Sequence, residues 1–114
     1  MDCIFCRIAK GELPCDEVYR DEHVLAFRDI HPKAPVHTLV IPLEHVSDLN
    51  ALPEKDPLLG GRLLAAAAEV ARREGVADRG YRIIVNCGPE GGQEVGHLHL
   101  HVLGGRPMGP MVCR

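Results

Sequence analysis

One heptad near the C-terminal end constrains the fold of this chain more than any other feature. His97-Leu98-His99-Leu100-His101-Val102-Leu103 alternates polar and apolar side chains until its last position. In an extended strand, residues i, i+2 and i+4 lie on one side. The heptad therefore predicts a strand with three imidazoles on one face and Leu98, Leu100 and Val102 against a core on the other. Three crowded imidazoles cannot all carry charge comfortably, so at least some are neutral at pH 7. Neutral imidazole is a nucleophile or a metal ligand. Three uses compete: a solvated polar face, a metal site built from all three histidines, or nucleophilic catalysis at the middle one with the outer two in support. The surroundings favour the third. Gly88, Gly91 and Gly92 precede the strand, and glycines let backbone N–H groups approach an anion. Asn86 offers an amide donor nearby, and phosphate is the natural ligand for such a setting.

The rest of the chain supplies a partner for that strand's apolar face. Asp56 as cap and Pro57 at the first position open the clearest helix, which runs to Gly75. Leu59, Leu63, Leu64, Ala67, Val70 and Ala71 form its apolar stripe. A short helix over Ile4–Ile8 is expected, capped by Asp2, with Ser47 capping one further helical turn. Glu17–Arg20, Val24–Asp29, His37–Ile41, Tyr81–Val85 and Gly96–Leu103 read as strands. Asp21-Glu22 makes a tight turn, and Pro32 and Pro35 force an irregular loop. Short connections make the strands antiparallel, with the last two as neighbours. The fold class is α+β: a five-stranded antiparallel sheet with one long and one short helix, residues 1–114 forming a single domain.

Charge and cysteine content narrow the partners. A net charge of -3 favours neither long nucleic acid polymers nor acidic membranes. The N-terminal residues lack a signal-peptide pattern, and the apolar patch Leu63–Ala68 is too short to span a bilayer, so a cytoplasmic protein is expected. An odd cysteine count (Cys3, Cys6, Cys15, Cys87 and Cys113) argues against a disulfide framework. Cys3-x-x-Cys6 has zinc-ligand spacing instead.

The heptad matches the signature of the histidine-triad (HIT) family at every position, and the likeness extends over nearly the whole chain. Ala26–Ile30, Ala34–Pro42, Gly80–Asn86, Gly91-Gly92-Gln93 and Gly104-Gly105-Arg106 carry it. The chain most resembles the purine nucleoside phosphoramidase branch. That resemblance implies a homodimer, expected to continue the sheet across two copies, and hydrolysis of nucleoside 5′-phosphoramidates such as AMP joined to an amine. It implies that His99 is the nucleophile, that His101 contacts the phosphate, that Asn86 lies near the scissile bond and that His37 serves proton relay. Asp29 matches the carboxylate that receives the ribose hydroxyls. Ile4, Phe5, Ile8, Phe27, Ile30 and Leu39 match the base pocket, and Gly92, Gln93 and Glu94 complete the nucleotide site. The resemblance also supplies the ligands that the cysteine pair lacks: a closed structural zinc site from Cys3, Cys6, His45 and His97, with no catalytic metal.

Two departures from the branch stand out. Glu94 occupies a position where phosphoramidases carry Ser beside the leaving group, and the tail Gly109–Arg114 is short and lacks tryptophan. Other readings are a nucleotide-binding module with little turnover, a metalloenzyme using all three histidines, and a dinucleoside polyphosphate hydrolase of the same family. His23 and His31 have no assigned role.

Overall fold

A computed structural model describes residues 3–112. The elements follow in the order α1 (Ile4–Ala9), β1 (Glu17–Arg20), β2 (Val24–Arg28), β3 (Val36–Pro42), a 3₁₀ turn (Leu49–Ala51), α2 (Leu52–Lys55), α3 (Pro57–Arg73), β4 (Tyr81–Val85) and β5 (Leu100–Gly104). The five strands form one sheet in the order β1-β2-β3-β5-β4, every pair antiparallel. β4 and β5 are neighbours, as their connection predicts.

Alternation along the strands gives the sheet two buried faces. Val24, Ala26, Val40, Leu100 and Val102 turn to one side and pack against Leu59, Leu63, Ala66, Ala67 and Val70 of α3. Leu25, Phe27, Leu39 and Ile41 turn to the other and pack with Cys3 and Phe5 beside α1. His101 pairs with Leu39 across β3 and with Ile84 across β4, which puts its imidazole on the α1 face. Asp56 caps α3 by accepting from the Leu58 N–H, and Gly75 ends it at φ 78°. Beyond the helix end, Glu74 accepts from Arg28 and from the buried Thr38 hydroxyl, tying α3 to β2 and β3.

Several expectations need correction. β5 begins at Leu100 rather than Gly96, because the Leu98 N–H donates to the Val46 carbonyl and the His97 N–H to Val95, outside the ladder. The side chains alternate through this segment nonetheless: Leu98 joins the α3 core, while His97 and His99 are buried on the opposite side. Asp2 lies outside the described residues. The cap of α1 is Cys3, whose sulfur accepts from the Cys6 N–H at 3.4 Å. Asp48, not Ser47, caps the 3₁₀ turn, its shorter reach to the Ala51 N–H being 3.0 Å. Leu64 is 59% exposed, because it sits one residue around the helix from Leu63, and Ala66 takes the buried position. Among the described residues, no helix is long and apolar enough to cross a membrane.

Candidate active site

The three triad histidines take three different partners. His97, fully buried, brings its Nδ1 to 3.4 Å from the Cys3 sulfur and 3.6 Å from the Cys6 sulfur. Its Nε2 lies 3.0 Å from the Pro42 carbonyl. A carbonyl only accepts, so Nε2 carries the proton and Nδ1 presents its lone pair to the thiols. His45 adds its own Nδ1 at 3.2 Å from the Cys6 sulfur. The four ligand atoms of Cys3, Cys6, His45 and His97 lie within 4.8 Å of one another and could hold a metal ion. Tetrahedral zinc with ordinary Zn–S and Zn–N bonds needs ligand separations of roughly 3.4–3.8 Å, and the donor set of two thiols and two imidazoles suits it. Burial and the neighbouring Cys3 push the Cys6 thiol upward in the absence of a cation. A cation at the centre would reverse that direction.

His99 donates through Nδ1 to the backbone carbonyl of His97 at 2.8 Å. Its Nε2 therefore carries the lone pair. The ring is 5% exposed and meets the edge of Phe5 at a centroid distance of 5.2 Å.

His101 belongs to a hydrogen-bonded chain. The Lys33 backbone N–H donates to His37 Nδ1 at 3.0 Å, which leaves the His37 proton on Nε2. That nitrogen faces His101 Nδ1 at 2.9 Å and the Asp29 carboxylate at 3.5 Å. His101 accepts at Nδ1 and so keeps its proton on Nε2. Burial, then the neighbouring His99 and His37, hold His101 down to about 4. Burial also lowers His37, against the pull of Asp29. Both rings are neutral near pH 7, as expected for crowded imidazoles.

A cleft of about 340 Å³ opens onto this arrangement. Asp29, Lys33, His37, Ile84, Asn86, Gly92, Glu94, His99, His101 and Leu103 line it. Asn86 is held in place by donating from its side chain to the Gly91 carbonyl at 2.6 Å. A Cβ at Gly91 would run into the Cys87 carbonyl, so only glycine allows this turn.

The HIT domain family model matches residues 10–108. The chain belongs to the HIT family. It is 47% identical over 112 residues to the purine nucleoside phosphoramidase of Escherichia coli (strain K12), covering 98% of this chain and 94% of that protein. Among solved structures, it resembles a HIT family hydrolase from Clostridium thermocellum with a TM-score of 0.94 and 46% identity, covering 98% of this chain and 97% of that one. A HIT family hydrolase from Legionella pneumophila gives a TM-score of 0.91 at 46% identity, covering 95% of this chain and 96% of the other.

Measured against the HIT signature, the cleft collects Asp29, His37, Asn86, Gly92, Glu94, His99 and His101. The other expected nucleotide residues are not in its lining. Phe5, Phe27 and Leu39 are buried in the α1-side cluster with Ile8 against it, while Ile4 and Ile30 are 52% and 86% exposed. Gln93 braces the loop, accepting from the Gly88 N–H and donating to the Ser47 and Val95 carbonyls. Lys33, Ile84 and Leu103 were not singled out from the sequence. Ile84 and Leu103 follow from strand register, but Lys33 acts through a backbone amide, which no side-chain motif reveals.

Proposed function

We propose that this HIT-family hydrolase cleaves purine nucleoside 5′-phosphoramidates through a covalent nucleotidyl intermediate on His99. The observation that carries this reading is the proton position on His99. Its Nδ1 is committed to a carbonyl, so the Nε2 lone pair is free to attack phosphorus beside Asn86 and His101. In the first half-reaction the His99 Nε2–P bond forms and the P–N bond to the amine breaks. The departing amine takes up a proton. In the second, water attacks phosphorus, His99 leaves unprotonated at Nε2, and the proton is returned. A bound phosphoryl anion raises the His101 pKa from its low starting value, so the His37–His101 pair takes up a proton as substrate binds, gives it to the departing amine in the first half and recovers one from the attacking water in the second. His101 Nε2–H meanwhile donates to a phosphoryl oxygen.

Asp29 receives the ribose hydroxyls in this reading, with the Gly92 and Glu94 segment across the cleft. The base covers apolar surface left open at Ile4 and Ile30, next to Phe5, Ile8, Phe27 and Leu39. Cys3, Cys6, His45 and His97 would hold zinc in a structural role, since four protein ligands would leave no coordination position for water. Such an ion would tie α1 to the segment that carries the His97 carbonyl, the acceptor that orients His99. The functional unit is a homodimer. β4 is an edge strand, and a second copy would pair its open side.

Incubation with an adenosine 5′-phosphoramidate bearing a fluorescent amine tests the reaction. The parent is expected to release AMP and free amine, and His99→Ala neither. AMP binding without turnover by the parent would overturn the assignment for this substrate class.

A further inference from the structure

We infer that Glu94 selects the leaving group, so that preferred substrates are phosphoramidates whose amine carries a second, positively charged group. This rests on the phosphoramidase reading. Besides its imidazoles, the cleft is lined by two carboxylates, Asp29 and Glu94, and one ammonium, Lys33. Two of these three are engaged. Asp29 accepts from the His31 N–H at 2.8 Å and faces His37, and the Lys33 Nζ donates to the His31 carbonyl at 2.9 Å. Glu94 has no hydrogen bond or ion pair with any described residue, although it lines the same cleft as His99 and Asn86.

Topology separates the two carboxylates. Asp29, Lys33 and His37 come from the loop before β3 and from β3 itself, on one side of β5. Asn86, Gly92 and Glu94 come from the connection after β4, on the other side. Phosphorus at His99 therefore has a carboxylate on each side. If the sugar lies toward Asp29, the amine substituent lies toward Glu94. A free carboxylate beside a phosphoryl anion is repulsive unless the substrate brings a cation to offset it.

Three AMP phosphoramidates of similar length test this: those of putrescine (cationic end), butylamine (neutral end) and γ-aminobutyrate (anionic end). In low salt, kcat/KM of the parent is expected to fall in that order, by about fivefold at each step for a solvent-exposed charge pair. The spread shrinks at high salt. Glu94→Gln brings the three within about twofold, and Glu94→Lys inverts the order. The same ratios in all three proteins would overturn the role of Glu94 while leaving the phosphoramidase reading intact. No turnover of any of the three by the parent would overturn that reading and this inference with it.

Discussion

His97 and His101, four residues apart on one segment, anchor two clusters made of similar parts with opposite proton arrangements. Around His97, the Pro42 carbonyl accepts from Nε2–H, and the Nδ1 lone pair turns toward two thiols and His45. Around His101, the Lys33 amide occupies the lone pair of His37 Nδ1 and leaves a proton on the nitrogen that faces His101. Asp29, His37 and His101 also lie close enough together to hold an ion. A metal there would need the His37 Nε2 lone pair, and the ring proton would then move to Nδ1, against the Lys33 N–H. The backbone partner of each outer nitrogen thus decides the use of the inner one: convergent lone pairs suit a metal, and an interposed proton suits a relay. His99 stands between the clusters, with its own backbone carbonyl partner and no competing ligand.

The largest effect that separates the three roles is expected at His99. His99→Ala is expected to lower turnover by roughly 10⁴-fold or more, with metal content and thermal midpoint near those of the parent. A comparable loss of metal in His99→Ala would break the division between clusters. Disruption of the Cys3, Cys6, His45 and His97 cluster is expected to show the reverse pattern. Cys3→Ser or Cys6→Ser, or chelation, is expected to lower the thermal midpoint by about 10 °C or more, as several kcal/mol of lost binding would in a domain of this size. Residual turnover at a temperature below that midpoint should stay within about 100-fold of the parent, the scale of an outer-shell effect. Complete loss of activity in a folded, metal-free protein would mean that the metal takes part in the chemistry.

The relay cluster gives a smaller change. His37→Leu removes the donor to His101 and is expected to lower kcat by about 100-fold, the lower end for a proton-transfer group, with metal content unchanged. An effect of similar size is expected on stability against pH. His101 is held down to about 4 in the folded chain, below the ordinary histidine value, and burial shifts His37 and His97 in the same direction. The unfolded chain therefore binds protons first as pH falls. Stability is full above about 6.5 and is lost through the window down to about 4, by on the order of 3 kcal/mol from His101 alone. Denaturant unfolding of metal-free protein across that window measures it. His101→Asn should flatten the slope, and an unchanged slope would contradict the assignment of the shift to this ring.

Much of this division was legible in the sequence, for physical reasons specific to each part. The period of two in residues 97–103 gave the face of each histidine even though the ladder starts only at Leu100, because alternation needs extended backbone and not a paired strand. Cys3 and Cys6 stood out by spacing, and the structure brings them to His45 and His97. The proton positions were not legible. They depend on the Pro42 and His97 carbonyls and the Lys33 amide, groups every residue possesses. The Cys3 cap of α1 is not legible in the sequence, because sulfur is not an ordinary capping acceptor. The position of Lys33, four residues before His37 and between Pro32 and Pro35, is the only trace of its role in the sequence.

The most direct test of the central claim is to map the covalent intermediate. The parent would be quenched at alkaline pH during turnover of an AMP phosphoramidate, digested, and sequenced by tandem mass spectrometry. The nucleotidyl group is expected on His99 and on no other histidine. An adduct on His97 or His101, or turnover with no adduct on any histidine, would contradict the assignment of metal, nucleophile and relay to three alternating positions on one side of an extended segment.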